Sequence, residues 1–243
     1  MDKTVIITGA SSGLGLTLAK RFISLGYTVY GSSLTKRNWK NANKTVSFNK
    51  HFFLRQVDLT SEHSVKKYIH NILKKEEKID VLINNAGYSN IPSRVEKHSL
   101  KEFQKNLETN LVSAFLTSKY LIPFFLKQKA GLIINVSSMA GKRAVPRLVG
   151  YSASKFGMLA LSQCIAKENA ESNLKCVTVC PGGMNTQMRA KLFGKKDASL
   201  QQSTDFVADV MIKVITGKIE VLSGGDIVIR HRKITAINPP PKA

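Results

Sequence analysis

A glycine-rich turn, Thr8-Gly9-Ala10-Ser11-Ser12-Gly13-Leu14-Gly15, follows directly on the apolar run Thr4-Val5-Ile6-Ile7, and apolar residues at helical spacing (Leu14, Leu18, Ala19, Phe22) follow the turn at once. A strand that enters a helix through so few residues needs positions without a Cβ, which permit a sharp reversal and close backbone approach. The strand–turn–helix unit then recurs. Continuous apolar stretches at 27–32, 52–57, 80–84, 132–137 and 176–180 alternate with helical or polar segments around 65–75, 103–127 and 154–170. Strands that are apolar on both sides belong to a parallel sheet covered on both faces. The expected fold is therefore α/β, a doubly wound parallel sheet in one domain spanning 1–243, with neither linker nor internal repeat. Two segments break the alternation: 34–50, polar and asparagine-rich, expected to form a short helix or basic loop, and 187–202, which precedes a helix expected at 204–215 and capped by Ser203 or Thr204. The proline-rich tail 239–243 is expected to fray.

After the first strand of such a sheet, glycines at 9, 13 and 15 let the backbone approach a pyrophosphate while the following helix aims its N-terminal amides at it. Their alternative role is simply to close a tight strand–helix connection. The end of the second strand bears on cofactor choice, because an acidic side chain there would hold the adenosine ribose hydroxyls and repel a 2′-phosphate. None is present: the chain reads Val29-Tyr30-Gly31-Ser32-Ser33-Leu34-Thr35-Lys36-Arg37. Small hydroxyls such as Ser33, followed by Lys36 and Arg37, suit a 2′-phosphate, so NADP(H) is favoured and NAD(H) stays possible.

Lysine and arginine exceed aspartate and glutamate by 37 to 16, a formal charge of +21. Such an excess attracts polyanions and anionic surfaces without selectivity. The cations are scattered, with no zinc-finger spacing or aromatic RNA-binding motif, so no specific nucleic-acid partner is expected. No apolar run approaches the roughly 20 residues that span a bilayer. A soluble, cytoplasmic protein is expected. Cys164, Cys176 and Cys180 sit in apolar sequence without metal-ligand spacing, and neither a disulfide framework nor a metal site is expected.

Further motifs fall at strand ends: Asp58-Leu59, Asn84-Asn85-Ala86-Gly87 and Asn135-Val136-Ser137-Ser138. Tyr151 and Lys155, four residues apart, share one face if their segment is helical. Alone, this pair is equally an exposed helix face. Taken in order, TGxxxGxG, NNAG, Asn110 placed 41 residues before Tyr151, Ser138 placed 13 before it, YxxxK and Pro181-Gly182-Gly183-Met184-Asn185-Thr186 resemble the short-chain dehydrogenase/reductase family from Thr4 to about Thr186. The spacing selects Ser138 over Ser137.

The resemblance implies a Rossmann-type sheet and hydride exchange between a nicotinamide and a carbonyl/alcohol pair. Negative charge growing on the carbonyl oxygen must be stabilised and protonated. By the resemblance, Tyr151 exchanges the proton, Ser138 hydrogen-bonds the same oxygen, Lys155 lowers the phenol's pKa from about 10 and holds the nicotinamide ribose, and Asn110 holds a water in a proton relay. It likewise places Gly9, Ser11, Ser12, Gly13, Leu14 and Gly15 at the pyrophosphate, and Asp58 and Leu59 at the adenine. Asn85, Ala86 and Gly87 would lie against the cofactor, and Pro181, Gly182, Met184 and Thr186 at the carboxamide.

Beyond Thr186 the resemblance loosens. Val221-Leu222-Ser223-Gly224-Gly225-Asp226 only loosely matches a family ending that supports a subunit interface, so a homodimer through the helices at 103–127 and 154–170 is expected as readily as a homotetramer. Substrate choice is assigned to 187–202, treated as a lid, and to loops near 88–95 and 140–149. Met188, Leu192 and Phe193 are expected to be apolar lid residues, and Arg143, Arg147 and Arg189 to face an anionic group. The expected substrate is a ketone or a 3-oxoacyl group, with an anionic or carrier-bound form among the alternatives. Two other readings stay open: a non-catalytic NADP-binding sensor on the same fold, and a polyanion-binding protein.

Overall fold

The computed structural model describes residues 3–35, 38, 40, 42 and 50–241. Successive residues of the first strand, β1 (Thr4–Ile7), feed two different cores: Val5 and Ile7 pack on one face of the sheet, Ile6 on the other, all fully buried. That division is the physical reason the strands read as unbroken apolar runs. The remaining strands are β2 (Thr28–Ser33), β3 (Phe52–Gln56), β4 (Val81–Asn84), β5 (Gly131–Val136), β6 (Leu174–Pro181), β7 (Asp226–Arg230) and β8 (Lys233–Asn238). They form one sheet in the order β3-β2-β1-β4-β5-β6-β7-β8. All neighbours are parallel except β7 and β8.

One core takes α1 (Gly13–Ser24) and α8 (Thr204–Ile215); the other takes α2 (Glu62–Leu73), α4 (Ser113–Lys127) and α5 (Val149–Glu168). Between α2 and α4 lies α3 (Leu100–Leu107), and the short α6 (Gln187–Phe193) and α7 (Lys195–Ser199) occupy the expected lid segment. Ser203 caps α8, its hydroxyl accepting from the Phe206 amide at 3.2 Å. Strand order reverses direction between β1 and β4, so the crevice at their carboxyl ends is where a doubly wound sheet takes its ligand.

Two expected features differ in detail. Asn38, Lys40 and Ala42 are helical and Ala42 is buried in the core, while Lys36 and Arg37 lie outside the described residues. The segment expected as one helix over 103–127 is divided by a π-turn at Glu108–Val112. Strand β8 had no counterpart in the sequence reading, being short, of mixed polarity and largely exposed. In the tail, Pro240 lies over Gly224, where an added Cβ would come 3.1 Å from the proline's own. Among the described residues, no helix is long and apolar enough to cross a membrane, and no cluster of His, Cys, Asp and Glu could hold a metal.

Candidate active site

The glycine turn is held by its neighbours on both sides. Thr8 Oγ1 accepts from the amides of Asn85 (2.9 Å) and Ala86 (3.0 Å), and the Asn85 amide donates back to the Thr8 carbonyl at 2.9 Å. From β2, the Ser32 hydroxyl accepts from the Gly9 amide at 3.2 Å. Gly15 sits against this assembly so closely that a Cβ would fall 2.3 Å from the Gly9 carbonyl oxygen. Gly13 has a different reason: its φ is +51°, a left-handed value, and its open side faces Thr186. Asn85, expected against the cofactor, therefore spends its side chain on building the turn. The first turn of α1 holds no acidic residue, and the Ser12 side chain makes no capping hydrogen bond. Its leading amides thus suit a pyrophosphate, so the turn passes a chemical test for the dinucleotide.

Beside the turn, Ser33 is buried at the end of β2 and its hydroxyl donates to the Thr35 carbonyl at 3.3 Å. Asp58 is exposed and forms a local turn, one oxygen accepting from both the amide and hydroxyl of Thr60, while Leu59 is buried. At the far wall, Gly182 donates to the Ile229 carbonyl at 2.7 Å, Met184 bridges to Gln202, and Thr186 caps α6.

Tyr151 and Lys155 do share one face of α5. The Ser138 and Tyr151 side chains line one cavity of about 490 Å³. Ser138 Oγ is pinned by the Ala140 amide at 3.1 Å. Ser137 instead turns away, donating to the Lys155 carbonyl at 2.7 Å. Lys155 is buried, its Nζ donating to the Val136 carbonyl at 2.8 Å and lying 5.7 Å from the Tyr151 ring centre. Burial moves both groups against the expected field. It raises the Tyr151 pKa, with the Ser138 hydroxyl opposing it, and lowers that of Lys155 to about 8. At neutral pH the pair is thus a phenol beside an ammonium, a proton donor.

Asn110 lies inside the π-turn and is fully buried. Its amide donates to the Tyr88 carbonyl (2.9 Å) and to Ser154 Oγ (2.8 Å), and its oxygen accepts from the Tyr88 amide at 2.7 Å. Ser154 in turn donates to the Tyr151 carbonyl at 2.7 Å, so Asn110 is tied to the helix that carries the phenol. Gly87 lies between Asn110 and Lys155: a Cβ there would be 3.5 Å from the asparagine oxygen and 3.9 Å from the lysine nitrogen. By contrast, Asn84 and Asn135, which share strand-end motifs with the candidates, bond each other at 2.8 Å beneath the site. Their network reaches Ser118, Thr117, Ser162 and Thr178 and joins the central strands to α4 and α5.

Met188, Leu192 and Phe193 line the cavity, as do Arg143 and Arg189; Arg147 does not. Arg189 is paired with Asp197, Nη2 to Oδ2 being 3.0 Å, and stacks on Phe193. Sequence reasoning missed Arg230, His231 and Arg232, which also line the cavity. The run Arg230-His231-Arg232-Lys233 was visible as a charge cluster, but only the pairing of β7 with β8 brings it to the site. His231 and Arg232 form the two-residue hairpin turn with φ of 50° and 57°. This left-handed turn usually selects Asn-Gly, and each residue with a Cβ costs about 1–3 kcal/mol there.

The short chain dehydrogenase model matches residues 3–197. The chain belongs to that family. Short-chain dehydrogenases similar to it include the NADPH-dependent pterin aldehyde reductase of Arabidopsis thaliana, 31% identical over 227 residues that make up 93% of each chain. The 3-oxoacyl-[acyl-carrier-protein] reductase of Thermotoga maritima is 28% identical, over 93% of this chain and 98% of that one. Among solved structures, ElxO with NADP bound superposes with a TM-score of 0.85 at 26% identity, over 94% of this chain and 97% of its own. The matched span contains the glycine turn, Asn110, Ser138, Tyr151 and Lys155 and stops before the β7–β8 hairpin.

Proposed function

We propose that this short-chain dehydrogenase is an NADP(H)-dependent carbonyl reductase. The observation that carries the reading is the placement of Ser138 and Tyr151 on the wall of one large cavity, with Lys155 buried one helical turn along from the tyrosine. The glycine turn and Thr186 would hold the nicotinamide cofactor, which would supply the hydride. Tyr151 gives its proton to the carbonyl oxygen, Ser138 holds that oxygen, and Lys155 carries the charge that stabilises the phenolate left behind. Because the Asn110 side chain is fully used within the protein, its part in a proton relay falls to the backbone carbonyl of the π-turn, a turn geometry that recurs at functional sites. The relatives named above, an NADPH-dependent aldehyde reductase and a 3-oxoacyl reductase, support the reductive direction and the cofactor. A screen of aldehydes and ketones following NADPH absorbance, with Tyr151→Phe as blank, tests the reading; NADPH binding without turnover of any carbonyl would favour a sensor instead.

Two expected results follow from particular residues. Alanine at both Lys36 and Arg37 raises KM for NADPH at least tenfold while leaving KM for NADH within about threefold, since a charge-assisted hydrogen bond to a phosphate is worth roughly 1.5–3 kcal/mol; equal effects on both would remove the basis for NADP. The second concerns pH. With the Lys155 pKa lowered to about 8, its ammonium is present below that value and lost above it, whereas Tyr151, its own pKa raised, stays a phenol. Reduction is therefore expected to hold a plateau below pH 8 in kcat/KM and to decline above it, and a rate that climbs through pH 9 would contradict the assignment.

For association, we infer a dimer across α4 and α5, supported by the exposed side chains of Phe115 and Phe156. The outer edge of β7, which a tetramer through the C-terminal strand would use, is paired with β8 of the same chain. Phe156→Glu is expected to shift the mass seen by light scattering from dimer toward monomer.

A further inference from the structure

We propose that the β7–β8 hairpin is the specificity element of the site, and that Arg230 and Arg232, together with Arg143 of the same cavity, select carbonyl substrates bearing an anionic group, carboxylate or phosphate, distant from the reacting oxygen. This rests on the carbonyl-reductase reading and names the substrate class it takes.

The chain's positive charge is overwhelmingly lysine: 28 lysines against nine arginines. The cavity inverts that ratio. Among the described residues, four arginines line it, together with His231, and no lysine, aspartate or glutamate does. A basic surface with no purpose here would have brought lysines. Arginine's planar fork matches a carboxylate or a phosphate with two parallel hydrogen bonds, which lysine's point charge cannot do. Arg189 already has its carboxylate in Asp197. Among the described residues, no ion pair engages Arg143, Arg230 or Arg232.

The hairpin is also built to stay in place. Gln202, buried at 4% exposure, accepts from the Arg232 amide at 3.2 Å and donates to the Ile229 carbonyl at 3.1 Å. Its own carbonyl accepts from the Asn185 amide at 2.9 Å, so one glutamine joins the hairpin to the wall that carries Thr186. The Arg230 side chain crosses Gly182, where a Cβ would lie 3.2 Å from its Cγ. Two left-handed residues with side chains at the tip are strain that a surface hairpin of no consequence would shed by taking asparagine and glycine. An apolar stretch of Met184, Leu148 and Val145 lies in the same cavity as the Ser138–Tyr151 pair and this cationic rim. The implied ligand has a carbonyl at one end, an apolar body and an anion at the other.

The test compares ω-oxo carboxylates and ω-oxoalkyl phosphates of four to ten carbons with n-alkanals of equal length, using the full-length protein and NADPH. The charged compounds are expected to exceed the neutral ones in kcat/KM by at least tenfold at their best chain length, mainly through KM. In the variant carrying Arg230→Gln and Arg232→Gln that ratio falls to within about threefold of one, and in the wild type it shrinks as salt is raised from 0.05 to 0.5 M. Titration calorimetry of the same compounds with the NADPH-loaded protein reads the preference without turnover, and an NADPH titration reports whether the variant is folded. Equal use and equal binding of charged and neutral compounds, or a ratio unmoved by the double substitution in a protein that still binds NADPH, would overturn the inference. Charge-selective binding without turnover of any probe would sustain the hairpin's role and overturn the reductase reading instead. Which anion is preferred identifies the natural group.

Discussion

Tyr151→Phe lowers kcat for carbonyl reduction by about 10²–10⁴, the usual worth of a positioned general acid, while NADPH affinity and the melting temperature stay near wild type. The phenylalanine ring fills the same space on α5, and the relay from the Asn110 amide to the Ser154 hydroxyl and on to the Tyr151 carbonyl does not involve the phenol. What goes is the phenolic proton that Tyr151 presents beside Ser138 on the cavity wall. Because Tyr151 is a phenol throughout the neutral range, the loss should be as large at pH 6 as at pH 7.5. Single-turnover rates at saturating NADPH measure it. Near-normal turnover would mean that the proton comes from elsewhere and that the Ser138–Tyr151 pair is structural.

Gly15→Ala should damage the protein through the cofactor cleft instead of the chemistry. An added Cβ falls 2.3 Å from the Gly9 carbonyl oxygen and 2.5 Å from the Asn85 side-chain nitrogen. Neither is a free side-chain end: Gly9 is fixed by Ser32, and Asn85 by the Thr8 carbonyl. Relief therefore requires the turn to move, at a cost of about 1–3 kcal/mol for overpacking, which for a chain of this size lowers Tm by roughly 2–12 °C. The displaced amides lose their aim at the pyrophosphate, and NADPH affinity is expected to fall at least 100-fold by fluorescence titration. Gly26→Ala is the matched control. That residue also has a positive φ, but nothing lies within 4 Å of its Cβ position, so it should cost some stability and leave NADPH affinity unchanged.

Residues spaced along one chain were enough to read a doubly wound parallel sheet and to single out the candidate catalytic residues. Periodicity separates strands from helices wherever a face is buried, and the two cores fed alternately by β1 are the same fact seen in three dimensions. The four-residue step from Tyr151 to Lys155 needed only a helix to bring both to one face, and local geometry guarantees that. The choice of Ser138 over Ser137 rested on the 13-residue spacing to Tyr151 that the family resemblance supplies; in the fold Ser137 turns to the Lys155 carbonyl while Ser138 lines the cavity.

Tertiary structure alone decided what depends on groups distant in sequence. Which asparagines face the cleft is one case: Asn84, Asn85, Asn110 and Asn135 look alike in a motif, yet Asn84 and Asn135 bond each other below the site, Asn85 buttresses the turn and Asn110 locks α5 to the π-turn. The ionisation of Tyr151 and Lys155 is another, because burial opposes the field that their proximity suggests, and burial is a property of the whole fold. The substrate wall is the third. Arg230 and Arg232 lie some eighty residues beyond Tyr151 by sequence numbering, outside every local pattern, and reach the cavity only because β8 turns back on β7. Spacing along the chain specifies what one helix or one turn holds together; long-range pairing and desolvation set the charge, the partner and the pocket.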